Sequence, residues 1–154
     1  MSETIRPYEE DDLAVINEIL STTVPWTEYE ATYRVDDAAV ADEDLLAVAT
    51  VDGGVTGFVW VVPNGAFDRS GYIKLIGVVE HAQGQGTGTA LMDCAEQYVS
   101  AESTSNDVFL LVSDFNEAVQ EFYRQHGYDR ICILENYVEN GISEYIFRKS
   151  IHDQ

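Results

Sequence analysis

The sequence predicts one mixed α/β (α+β) domain spanning residues 1–154. Three observations carry that expectation. Short β-rich runs alternate along the chain with stretches of helical periodicity. A cluster of glycines in mid-chain joins one such run to an amphipathic stretch. Hydrophobic residues make up 45% of the composition, enough for one core, and no apolar run approaches the roughly 20 residues needed to cross a bilayer.

Thr4 to Tyr8 reads as a first strand. Asp11 or Asp12 can cap a helix that carries Leu13, Ile16 and Leu20 on one face. The chain breaks at Pro25-Trp26, and a second helix is expected over Glu28 to Val40. Leu45 to Val51 and Val55 to Val62 read as strands joined by the hairpin signal Asp52-Gly53-Gly54. Pro63 to Gly71 reads as a polar loop and Tyr72 to Val79 as the next strand. Beyond the glycines, Leu91, Cys94, Ala95 and Tyr98 fall at i, i+3, i+4 and i+7, the stripe of a helix. Val108 to Val112 is a solid apolar run, expected as a buried strand. Asn116 to His126 is expected as a helix that clusters Val119, Phe122 and Tyr123 and stops at Gly127. Ile131 to Leu134 and Ile142 to Arg148 close the series as strands. The order is β-α-α-β-β-β-α-β-α-β-β, without an internal repeat or linker.

Charge narrows the function classes. Asp and Glu total 28 against 8 Lys and Arg, a formal net charge of -20, and the only lysines are Lys74 and Lys149. Such a surface repels nucleic acid and anionic membranes, so neither is expected as a partner. The acids are spread rather than gathered in a tail. That composition suits a salt-rich cytoplasm, where the Debye length falls to about 3 Å at 1 M salt and self-repulsion is screened; an acidic protein of an ordinary cell is the plain alternative. The segment Met1 to Arg6 lacks the charged-then-apolar pattern of a signal peptide, and a soluble cytoplasmic protein is expected. Cys94 and Cys132 are too few for a disulfide scaffold and are expected as buried thiols. His81, His126 and His152 have no metal-ligand spacing, so no metal is expected.

The chemistry is concentrated at Gln83-Gly84-Gln85-Gly86-Thr87-Gly88-Thr89. Glycines let the backbone take positive φ and approach a ligand closely. The first N–H groups of the helix that follows have no intrahelical acceptor, and with the helix dipole they form an anion site that needs no lysine. A nucleotide P-loop would end in Gly-Lys-Ser/Thr, which is absent. A dinucleotide fingerprint would place its last glycine where Thr89 stands. A turn whose glycines serve packing alone is the plain alternative.

A second segment runs from Leu110 to Tyr128. The strand ends at Ser113, Asn116 stands at the start of the next helix, and Tyr123 lies about two turns further on. Asn116 would serve any helix as an N-cap, and Tyr123 would suit a core. Taken together, the two segments resemble the GNAT (Gcn5-related N-acetyltransferase) superfamily. Its acetyl-CoA motif, Gln/Arg-x-x-Gly-x-Gly/Ala, is matched by Gln83, Gly86 and Gly88, and its following motif by Asn116, Tyr123, Gly127 and Tyr128. Two positions depart from the pattern. Glu80 stands where proline is frequent, and Gln85 where a basic residue is common. The tail Asn136 to Gly141 resembles the substrate-side hairpin of protein N-terminal acetyltransferases, but Leu111 stands where those enzymes often carry a glutamate.

The resemblance implies the acyl-CoA N-acyltransferase fold, a central mixed, mostly antiparallel sheet flanked by helices. It implies direct acetyl transfer from acetyl-CoA to an amine acceptor, a small molecule or a peptide. Ile76 and Gly77 would border the acetyl and pantetheine groups. A main-chain N–H near Val78 would polarise the acetyl carbonyl. Residues Gln83, Gly84, Gln85, Gly86, Thr87, Gly88 and Thr89 would hold the pyrophosphate, and Asn116 the pantetheine arm. Tyr123 would contact the cofactor and protonate the leaving thiolate. Glu80 is the first candidate for the base, with Glu135, Tyr137 and Glu139 behind it. Trp26, Tyr29, Tyr33 and Tyr137 would line the acceptor pocket. A silent acyl-CoA sensor of the same fold is the alternative, and homodimers are common in the family.

Overall fold

The computed structural model describes residues 3–151, so His152 lies outside the described residues. One sheet organises them. Its strands are β1 (Glu3–Pro7), β2 (Leu45–Val51), β3 (Gly54–Ala66), β4 (Ser70–Val78), β5 (Asp107–Ser113), β6 (Asp129–Glu139) and β7 (Ile142–Ser150). They lie in the order β1-β2-β3-β4-β5-β7-β6. Every neighbouring pair is antiparallel except β4 and β5, which run parallel. The helices are α1 (Leu13–Thr22), α2 (Thr87–Glu102) and α3 (Glu117–Gln125).

Each face of the sheet carries its own core. On one face, Leu91, Met92, Ala95 and Val99 of α2 and Tyr123 of α3 pack on Val108, Leu110 and Val112 of β5 and Phe147 of β7. On the other, Ile16, Ile19 and Leu20 of α1 pack on Val48, Phe58 and Trp60. Of the stripe expected on α2, Leu91 and Ala95 are buried while Cys94 and Tyr98 are only partly so, and Met92 and Val99 complete the packed face. β5 buries Val108, Leu110 and Val112, whereas Phe109 and Leu111 between them are only partly covered.

The parallel pair is short, and that positions the site. β4 and β5 pair only at Gly71↔Val108 and Tyr72↔Phe109. Just beyond, the β3–β4 register shifts between Trp60 and Val61, which skips Lys74. A bulge of this kind bends its strand, and past it β4 and β5 no longer pair.

Several expectations are corrected. The helix over Glu28 to Val40 is absent. Two short 3-10 turns, Trp26–Glu28 and Asp37–Ala39, bracket extended chain instead. Tertiary contacts hold it so: the Asn17 amide donates to the Val35 carbonyl at 2.8 Å and accepts the Val35 N–H at 2.7 Å, which satisfies both backbone groups of Val35 without a helix. The polar loop from Pro63 shrinks to the turn between Ala66 and Ser70, where Phe67 and Asp68 take positive φ. Asp12 does not cap α1 through its side chain. It pairs instead with Arg6 at 2.8 Å and accepts the Glu9 N–H at 2.7 Å. Cys94 is only partly buried and Cys132 is exposed. Cys132 sits on β6, the edge strand, where Ile131 and Ile133 are exposed as well.

Leu91 is fully buried between α2 and the sheet. Leu91→Ala should therefore cost about 2–5 kcal/mol of stability, read from urea unfolding. A loss under about 1 kcal/mol would contradict this packing.

Candidate active site

Because β4 and β5 part company, a cleft opens through the sheet with a cavity on either side. A cavity of about 850 Å³ lies against the end of β4, the glycine turn, the start of α2 and α3. A cavity of about 470 Å³ lies between β4, β5, the chain after Pro25 and the β6–β7 hairpin. Pro25, Trp26, Ile76, Asn116, Val119 and Tyr123 line both, so the two meet at those residues. Both volumes fall in the range of small-molecule sites.

The larger cavity gathers most of the residues expected to hold the cofactor. Ile76, Gly77 and Val78 border it from β4, and Gln83, Gly84, Gly86, Gly88 and Thr89 from the turn and helix. Asn116 and Tyr123 complete it from the α3 side. Gly86 sits at φ 89 as the residue that opens α2, and a Cβ built there would meet nothing within 4 Å. Its glycine is required by the left-handed conformation and not by crowding, whereas a Cβ at Gly88 would come 3.2 Å from the Phe122 ring, so close packing acts at that glycine. Ala90 is the first residue of the helix to reach back, bonding its N–H to the Gly86 carbonyl. The N–H groups of Thr87, Gly88 and Thr89 precede it and have no such acceptor.

Neither Gln85 nor Thr87 lines the cavity. The Gln85 side chain donates to the His81 carbonyl at 3.0 Å and so braces the turn. The Thr87 hydroxyl points inward and donates to Glu3 at 2.6 Å. Gln83 reaches the Val78 carbonyl at 3.2 Å. Val79 donates its N–H to Thr56 of β3, so antiparallel alternation turns the N–H of Val78 away from β3 and into the cleft.

The smaller cavity gathers the expected acceptor residues Trp26, Tyr29, Tyr33 and Tyr137, together with Tyr72. The rings of Tyr29 and Tyr33 meet edge-on at 5.7 Å. At its inner end stands Glu144, only 4% exposed, which the β5–β7 register sets opposite Ser113. The Tyr29 hydroxyl donates to Glu144 Oε2 and lies 2.6 Å from the Ser113 Oγ. Burial pushes the Glu144 carboxyl above the usual carboxylate range; the Tyr29 hydrogen bond pulls against that, and the negative charge of Asp114 adds to it. Burial likewise raises the Tyr29 phenol, with Glu144 adding to the effect.

Tyr123 is 5% exposed, and burial raises its phenol, so it is protonated at neutral pH. Its hydroxyl has no hydrogen-bond partner among the described residues and is not sealed from solvent, so it opens on the cavities. Asn116 caps α3, accepting the Val119 N–H at 3.4 Å, as its plain reading held. The candidate bases separate. Glu80 lines the larger cavity, with Tyr123, and not the smaller one lined by Tyr29, Tyr33 and Tyr137. Glu135 lines neither cavity, and Glu139 accepts the Glu30 N–H at 2.7 Å.

Glu144, Ser113 and Tyr72 were not singled out from the sequence. The one signal was a lone acid in the run Ile142-Ser143-Glu144-Tyr145-Ile146-Phe147, at alternate spacing with Ile142 and Ile146. An acid at a position that should face inward is the informative observation.

Residues 13–128 match the Acetyltransferase (GNAT) family. The chain belongs to this family. An uncharacterised N-acetyltransferase of Methanocaldococcus jannaschii is 33% identical over 95 residues, 61% of this chain and 58% of that protein. The match thus spans a little over half of that relative's length. Ard1 of Thermoplasma volcanium superposes with a TM-score of 0.82 at 23% identity, covering 99% of this chain and all of the other. The yncA protein of Salmonella typhimurium, solved with its cofactor acetyl-CoA, superposes at 0.76 with 15% identity over the whole of this chain and 96% of its own. These likenesses establish the GNAT fold.

The raised carboxyl of Glu144 has a signed consequence for stability. A carboxyl raised by folding binds its proton more tightly when folded, so its ionised form at neutral pH costs stability. That cost is relieved as pH falls through the folded value and is gone below the ordinary value of 4.5. Glu144→Gln should melt at the same or a higher temperature than the parent at pH 7.5, with the gap narrowing towards pH 5. A lower melting temperature that worsens at alkaline pH would mark the carboxylate as a structural partner instead.

Proposed function

We propose that this GNAT protein transfers the acetyl group of acetyl-CoA directly to a primary amine. The observation that carries the reading is the meeting of two cavities at Tyr123, one bordered by an anion-binding turn and the other by tyrosines and a carboxylate. Bound acetyl-CoA would supply an activated acetyl thioester and a phosphate-rich handle. The amides from Gly86 to Thr89 would take the pyrophosphate, and the side-chain amide of Asn116 the pantetheine arm. The Val78 N–H would polarise the acetyl carbonyl. The Tyr123 hydroxyl, protonated and otherwise unbonded, would donate to the leaving sulfur. Trp26, Tyr29, Tyr33 and Tyr137 would receive the acceptor. A neighbour of the same fold that holds acetyl-CoA supports the cofactor assignment.

The same reading extends to the medium. Among the described residues three salt bridges form, against 28 acids in the chain. Most of the acid is therefore unpaired surface charge, and we propose that the protein works in a salt-rich cytoplasm, with neither nucleic acid nor membrane as a partner.

Calorimetric titration with acetyl-CoA, then thiol release with an amine panel, tests the activity. The panel is a hexapeptide with a free α-amino group, Nα-blocked lysine and spermidine. Binding without thiol release would favour the silent sensor. Tyr123→Phe should lower kcat about 100-fold while the acetyl-CoA Kd stays put; unchanged turnover would remove Tyr123 as the acid. Gly86→Val forces a branched residue into positive φ and should abolish acetyl-CoA binding, and intact binding would misplace the anion site. Stability and turnover should both climb with KCl towards molar levels, and an optimum in dilute buffer would refute the salt assignment.

A further inference from the structure

A buried carboxylate beside a cavity normally finds a cation or a full set of donors. Glu144 has neither. Its Oε2 accepts from Tyr29, but its Oε1 has no partner among the described residues. Asp44 Oδ1 is sealed and unpartnered, whereas Glu144 Oε1 is not sealed, so it opens on the cavity that Glu144 lines. The charge felt most at Glu144 is that of Asp114, which is also negative. Arg34 and Lys74 line the same cavity from exposed positions, and neither forms a salt bridge with it. Lys74 sits instead over the Trp60 ring, 4.2 Å from its centroid.

The missing cation has a natural source. The rings of Tyr29, Tyr33, Tyr72 and Tyr137 line the approach, and aromatic faces attract an ammonium group on its way in. An ammonium at Glu144 would stand in the cavity that Tyr123 also lines, on the acceptor side of the cleft.

We propose that Glu144 is the proton acceptor of the reaction: its free oxygen docks the acceptor's ammonium group and takes one proton from it. This rests on the acetyltransferase reading above. The ammonium gives its proton to the carboxylate, leaving a neutral amine and a carboxylic acid. The amine nitrogen then forms a bond to the acetyl carbon, and the C–S bond breaks with its electron pair on sulfur. Sulfur takes the Tyr123 proton, and the phenol recovers one from the nitrogen as the amide forms. Glu144 returns its proton to solvent when the product leaves.

The test compares parent, Glu144→Gln, Glu144→Asp and Glu135→Gln in thiol release with the three panel amines, alongside acetyl-CoA titrations and melting curves. Glu144→Gln should lower kcat at least 100-fold with the acetyl-CoA Kd within twofold of the parent. Glu144→Asp keeps a carboxylate one methylene back and should recover about 10-fold of the loss; should the glutamine variant fail to fold, the aspartate variant is read against the parent alone. Glu135→Gln should match the parent. Glu144→Gln turning over at the parental rate would overturn the role of Glu144 and leave the acetyltransferase reading standing. A parent that releases no thiol with any of the three amines would overturn that reading and this proposal together.

Discussion

The short pairing of β4 with β5 is the constraint on which the rest of the site depends. Two residue pairs hold the strands, and the bulge that skips Lys74 then carries β4 away. A continuous sheet would leave no passage between its faces, because every main-chain donor along both strands would be spent on the ladder. The separation does two things together. It frees the Val78 N–H, and it lets α3 present Tyr123 from one face towards groups that stand on the other. A cofactor held on the helix side and an acceptor held on the α1 side can then meet without either crossing a packed core.

Around that gap the chain spends its glycines where geometry compels them. Gly86 turns the backbone through positive φ so that α2 begins with its amides bare. Gly77 lets Trp26 and Phe58 close on β4, since a Cβ there would come within 3.0 Å of each ring. The first leaves bare amides at the larger cavity, and the second seats Trp26, which lines both cavities. With a net charge of -20, side chains offer little to a phosphate, so in the proposed reaction amides whose positions are set by the fold would carry that contact.

How much of this could be read from the residues depended on whether the determinant was local. The glycine turn and the Asn116–Tyr123 spacing are local patterns, and with the family resemblance they carry, ten of the twelve residues expected at the cofactor line the larger cavity. The segment Glu28 to Val40 is held extended at Val35, whose two backbone groups bond Asn17 on α1, eighteen positions earlier. No window over that segment contains Asn17. The side chains of Thr87 and Gln85 turn to Glu3 on β1 and to the His81 carbonyl, so only their main-chain amides remain for the expected role.

Glu144 was hidden for a similar reason, and it is the clearest case of a rule broken to a purpose. By alternation its side chain belongs on the same face as Ile142 and Ile146, where an acid is costly. The register that sets it opposite Ser113 also sets Ile146 opposite Leu111. Leu111 and Ser113 lie two residues apart and share a face, so Glu144 supplies a carboxylate to the surface where β5 itself has none. The strand on which the resemblance would look for a base is apolar there, and the carboxylate comes from its neighbour across the ladder. Sequence motifs are read along a strand, while a sheet assembles its chemistry across strands, and β5 with β7 shows the difference.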